Sequence, residues 1–179
     1  MIKKYYKKCI VIFLIVLSVS TIIALPWGLI YVGMITSPEP PKPEITYGEF
    51  PFRLVYEIDG KQMVVEDTLI CEYDGIGMSE AEGKYRKWKE YLKSGKERIV
   101  LLKVDENIEI YFEPGYAEYY MGDMGEWEYN PIFPDACRVR KKNGRIVSDG
   151  IVDKKRLFNK YNIKLISWDY TDPIVNSFK

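Results

Sequence analysis

Between Asp105 and Asp135 the chain places nine carboxylates and eight aromatic rings without a single lysine or arginine. Asp105, Glu106, Glu109, Glu113, Glu118, Asp123, Glu126, Glu128 and Asp135 are the acids, and Tyr111, Phe112, Tyr116, Tyr119, Tyr120, Trp127, Tyr129 and Phe133 are the rings. Flat rings beside carboxylates can stack on a sugar and hydrogen-bond its hydroxyls, or hold a cationic peptide with about 0.5–2 kcal/mol of cation–π attraction per good contact. The segment therefore nominates Tyr116, Tyr119, Tyr120, Asp123, Glu126, Trp127 and Glu128 as a ligand-binding surface. The plainer expectation is that the rings fill a core and the acids form its solvated side. A glycoside hydrolase needs two carboxylates about 5–9.5 Å apart across the ring, and sequence spacing places no such pair.

Asp123, Glu126 and Glu128 around Gly122 and Gly125 also resemble an oxygen-rich calcium loop, but their spacing is not that of an EF-hand. No metal and no cofactor is expected. Histidine is absent, which removes Ser-His and Cys-His nucleophile pairs and the commonest zinc ligand. Carboxylate, Lys or Tyr chemistry remains. Cys71 and Cys137 are candidates for a disulfide, with two buried thiols as the alternative. Neither has a histidine to activate it.

The elements that position these residues begin with a membrane-length run. From Cys9 to Ile35 there are 27 residues without a charge, where about 20 cross a bilayer. Lys3, Lys4, Lys7 and Lys8 precede it, so the positive-inside rule keeps the N-terminus cytoplasmic. The expected organisation is a cytoplasmic segment 1–8, a single-pass signal-anchor helix 9–35, a Pro-rich linker 36–47 and an extracytoplasmic α+β domain 48–179 at the cell membrane. Cleavage near Ser18-Val19-Ser20 is the alternative, although the apolar run continues well past it. Four prolines in Ser37–Glu44 favour an extended spacer.

Beyond the linker, Phe52, Leu54, Tyr56 and Ile58 alternate as a strand, and Asp59-Gly60 turns it into a second strand over 62–73. Ser79 and Glu82 form a capping box ahead of Ala81, Tyr85, Trp88 and Leu92, which predicts a helix ending at Gly95. Its face would carry Lys84, Arg86, Lys87, Lys89, Lys93, Lys96 and Arg98, suited to anionic lipid or to plain solvation. Strands follow at 98–104 and 108–113, then a hairpin of 137–141 and 145–148 across Asn143-Gly144. A helix capped by Asp153 runs to Tyr161, and a last strand covers 163–168. The sheet is expected to be mainly antiparallel, with about two helices on one face.

Without its four N-terminal lysines the chain holds 22 bases against 26 acids. That balance argues against nucleic acid as a partner. The expected function is a non-enzymatic binding or interaction module for an envelope glycan or a protein partner, with membrane lipid engaged by the N-terminal helix. A carboxylate-dependent glycan hydrolase and an accessory subunit of a membrane complex are the alternatives.

Overall fold

Two-residue turns organise much of the chain. Asp59 and Gly60 take φ of 51° and 77°, and Asn143 and Gly144 take 53° and 75°, the left-handed pair that lets a hairpin close with the natural strand twist. The computed structural model describes residues 2–125 and 129–179, with side chains from Ile10 onward. Its order is α1 (Ile2–Thr36), β1 (Tyr47–Ile58), β2 (Lys61–Ser79), β3 (Gly83–Leu92), β4 (Ile99–Lys103), β5 (Ile108–Phe112), α2 (Ala117–Tyr120), β6 (Ala136–Lys142), β7 (Arg145–Val152), α3 (Lys154–Tyr161) and β8 (Ile163–Tyr170). The chain divides into two compact units, Met1–Pro41 with Gly75–Lys87, and Lys42–Asp74 with Trp88–Lys179.

In the first unit, residues Ile10–Thr36 of α1 form a 27-residue stretch long and apolar enough to cross a membrane, with none of it buried. Its hydroxyls are satisfied internally: Ser18, Thr21 and Thr36 donate to the carbonyls of Leu14, Leu17 and Val32, each at 2.8 Å. Each bond runs to the carbonyl four residues earlier, the usual way a helical Ser or Thr satisfies its hydroxyl within the helix. After Thr36 the Ser37 amide closes the last turn on Gly33 at 3.0 Å. Ser37 Oγ then accepts from the Lys84 amide at 3.1 Å, Lys84 pairs with Glu39 at 3.5 Å, and Arg86 donates to the Pro41 carbonyl at 3.3 Å.

The helix expected after Ser79 does not form; the segment is the β2–β3 turn and strand β3. The Ser79–Glu82 pairing is real, since Ser79 Oγ accepts from the Glu82 amide at 3.2 Å. It closes a turn rather than a helix, and Gly83 leaves it with φ 70°. Trp88 and Leu92 are both buried, but a spacing of four residues keeps a common face in a strand as well as in a helix. The basic face read on that helix is therefore divided between the two sides of a strand.

The sheets are antiparallel and four-stranded, in the orders β3-β2-β1-β8 and β4-β5-β6-β7, and all of their strands lie in the second unit except the Gly75–Lys87 part of β2 and β3. Their inner faces share one core, in which Phe52, Leu54, Leu69 and Leu165 of the first sheet meet Ile99, Ile110, Phe112 and Val152 of the second. Phe112 and Trp168 join the two sheets edge-to-face at 4.7 Å. Leu157 and Tyr161 of α3 close one side, and Asp153 caps that helix by accepting from the amides of Lys155 and Arg156, both at 3.0 Å. The α+β expectation holds in its antiparallel part, while one of the two expected domain helices is replaced by a strand.

Residues 42–46 run antiparallel to 176–179. The Lys42 and Lys179 backbones exchange two hydrogen bonds of 2.9 Å, and the Glu44 amide donates to the Ser177 carbonyl at 2.8 Å. Asn176 bonds both backbone groups of Ile45, at 3.0 and 2.9 Å.

Cys71 and Cys137 are free and buried. Cys71 belongs to the main core, but Cys137 sits with Tyr111 and Val139 in a second cluster. Its strand neighbour Ala136 faces the main core, so the second sheet lies between the two sulfurs and the candidate disulfide is not made. Burial pushes the Cys71 thiol up to about 12 and Cys137 up to about 11. Alkylation of the unreduced, denatured protein is expected to modify both thiols; blocked thiols that appear only after reduction would contradict this arrangement.

Candidate functional site

Alternation along β3 directs Glu90 to the same side as the buried Trp88 and Leu92, although a carboxylate is costly there. The side chain keeps solvent contact at the mouth of a cleft of about 250 Å³, lined among others by Leu69, Leu92, Arg98, Tyr111, Glu113, Gly115 and Asp149. Its inner oxygen accepts from the Ala117 amide at 2.6 Å. Desolvation, with Glu118 and Glu113 adding like charge, pushes the Glu90 carboxyl up to about 7 against the opposing pull of that amide.

The other walls are fixed by similar pairings. Tyr111 donates to Asp149 Oδ2 at 2.9 Å, and burial together with that bond raises its phenol well above the usual range. Arg98 lies over the Tyr111 ring at 4.9 Å and reaches Glu97 at 3.7 Å. Its Nη1 is buried without a hydrogen-bond partner, so the guanidinium is held by the ring face and one exposed acid. Cys137 Sγ lies 3.8 Å from Glu113 Oε2 as a weak donor.

The sequence-nominated residues separate into different environments. Tyr116 is half exposed, at 50%, and its phenol is shifted up by Glu113 first, then by partial burial and by Glu90 and Glu118. Tyr119 stacks on Tyr129 with centroids 3.9 Å apart. Tyr120 is 1% exposed, so its ring belongs to the core and not to a ligand surface. Asp123 accepts from Trp88 Nε1 at 2.7 Å, which ties it to the scaffold. Glu126, Trp127 and Glu128 lie outside the described residues. Of the nominated set, Tyr116 alone is brought by the described structure to the carboxylates of Glu90 and Glu113.

Glu90, Arg98 and Asp149 were not singled out for this role by sequence. The available signal was a carboxylate alternating in phase with Trp88 and Leu92, which becomes visible only once β3 is known to be a strand. Among the described residues no group of three potential metal-ligating side chains converges. What the cleft offers is negative charge beside an exposed ring, and one carboxyl able to change protonation near neutrality.

That carboxyl carries a stability consequence. Its pKa in the fold lies above its ordinary value of 4.5, so the native state binds the extra proton between about 4.5 and 7 and stability falls as pH rises through that window. Glu90→Gln is expected to remove this slope and to stabilise the protein at pH 8 by about 1 kcal/mol after solvent screening is allowed for. Denaturation series at pH 5 and 8 test it; equal pH slopes in the two proteins would contradict the assignment.

The fold and cleft define an antiparallel two-sheet domain that follows a membrane-length helix. Comparison with known protein families, with curated proteins and with solved structures finds no match for this chain.

Proposed function

We propose that the protein is a single-pass, membrane-tethered binding module whose domain lies outside the cytoplasm and engages a cationic segment of an envelope component or protein partner. The observation carrying this reading is the cleft lined by Glu90, Glu113 and Asp149, with the half-exposed Tyr116 near enough to Glu113 and Glu90 for their charge to raise its phenol. Acids around an aromatic face attract ammonium or guanidinium groups through charge and ring quadrupole together. The apolar α1 and the lysines before it support the tether and its direction.

A defined probe tests it: fluorescein-labelled tetralysine titrated onto the full chain in zwitterionic nanodiscs. Combining Glu113→Gln with Tyr116→Ala is expected to weaken binding about tenfold, corresponding to about 1.4 kcal/mol, with further weakening in salt. Unchanged affinity in the variant, or no binding by the wild type, would remove the cleft from this role.

A second reading, glycan hydrolysis, draws on the placement of Glu90 and Glu113 in one cleft with the Glu90 carboxyl raised to about 7, where a general acid works best. Release of nitrophenol from aryl glycosides by the wild type but not by Glu90→Gln would favour it over the binding module.

A further inference from the structure

The end of α1 and the tip of the β2–β3 hairpin belong to one compact unit. The apolar run ends at Thr36, and the next residue, Ser37, accepts from the Lys84 amide at 3.1 Å. Gly83 packs so closely there that a Cβ would stand 3.0 Å from Ser37 Oγ. The hairpin tip is thus fixed within one residue of the end of the run.

The height of that point above the bilayer follows from helix geometry. A run of 27 residues is about 40 Å long at 1.5 Å per residue, against about 30 Å of hydrocarbon. Centred in the bilayer, its end stands roughly 5 Å beyond the hydrocarbon edge, inside the headgroup layer. A hairpin bonded to Ser37 shares that level.

The side chains of the tip suit this position. A Cβ on Gly77 would lie 2.5 Å from the Tyr85 ring, so that ring covers one face of β2. Ile76 and Met78 alternate onto the other face and are exposed, at 36% and 47%. Lys84, Arg86 and Lys87 follow on β3, the first two engaged with Glu39 and the Pro41 carbonyl, and all three add positive charge at the level of the phosphates. Glu80 and Glu82 occupy the turn itself, so the strand flank and not the turn is the part that can enter lipid.

We propose that this hairpin tip is a second membrane contact, in which Ile76 and Met78 enter the boundary between headgroups and acyl chains of the leaflet from which α1 emerges. The proposal rests on the reading of α1 as a membrane span. It gives the first unit a second point of membrane contact beside α1.

The test uses the full chain in phospholipid nanodiscs with Cys9→Ser, where the buried Cys71 and Cys137 are poor targets for native labelling. An environment-sensitive dye is placed by Met78→Cys, by Ile76→Cys, and by Leu25→Cys within the span. Quenching of the Met78→Cys and Ile76→Cys dyes by lipid-borne nitroxide, with protection from aqueous iodide, is the expected result. Iodide quenching at both tip sites with the Leu25→Cys dye quenched by lipid would overturn the proposal and leave the span standing. An unquenched Leu25→Cys dye would remove the span and the proposal together. Shielding of the tip from both quenchers would show a protein covering it and overturn the assignment to lipid.

Discussion

Tyr120→Ala is expected to cost about 3–5 kcal/mol, the usual range for truncating a large buried ring. The residue is 1% exposed, with its centroid 4.8 Å from Phe50 and 5.1 Å from Tyr119. Its hydroxyl donates to the Pro114 carbonyl at 2.8 Å, so alanine removes both ring packing and a buried bond. The melting temperature should fall on the order of ten degrees. Tyr120→Phe keeps the ring and should cost about 1 kcal/mol, whereas Tyr116→Ala, at a half-exposed position, should leave the melting temperature nearly unchanged. Thermal denaturation of the three variants reads the order directly. A Tyr120→Ala protein that melts like wild type would contradict the core placement.

Gly122→Ala is the second large effect, expected at about 3 kcal/mol from left-handed strain together with backbone displacement. Gly122 has φ 67°, and a Cβ there would stand 2.6 Å from the Ile174 carbonyl oxygen. That carbonyl has little freedom, because the Ile174 amide donates to the Tyr120 carbonyl at 2.9 Å. Gly125 separates the two contributions: its φ is 61° but its Cβ would meet open space. Gly125→Ala should therefore cost only the strain, about 1–2 kcal/mol. Denaturant midpoints of the two variants give the comparison; equal losses would show that the contact with Ile174 is not tight.

These two positions also show what could be read from sequence and what could not. Asp59-Gly60, Asn143-Gly144 and Asp153 carry their turn and cap chemistry within a few residues, so both hairpins and α3 were legible. The β3 segment was not, because Trp88 and Leu92 fit both periods and Ser79–Glu82 closes either a helix or a turn. The decision came from tertiary structure: as part of a strand, Trp88 reaches the core and its indole donates to Asp123. The pairing of β1 with β8, such as Leu54 opposite Trp168, joins distant segments through no local pattern, which hid the two-sheet arrangement.

The candidate site was legible as composition and not as geometry. The acidic, aromatic segment supplies Tyr111 and Glu113 to the cleft and Tyr116 beside it, but Tyr120, of the same type, is buried in the core. Residue type sets the ability to stack; side of the strand or turn sets whether the ring is available. Glu90 and Asp149 come from outside that segment, and no spacing rule brings them to it.

The antiparallel closure of 42–46 on 176–179 has a mechanical meaning. A pull arriving through the linker first meets the contacts of Ser37, Glu39 and Pro41 with the start of β3 and then loads the Lys42–Lys179 rungs, with the Ile45–Asn176 bonds and the ion pair of Glu44 with Lys179 behind them. These are surface bonds of modest net strength. Under tension they act as a fuse that releases several residues of slack while the core between the two sheets remains shut.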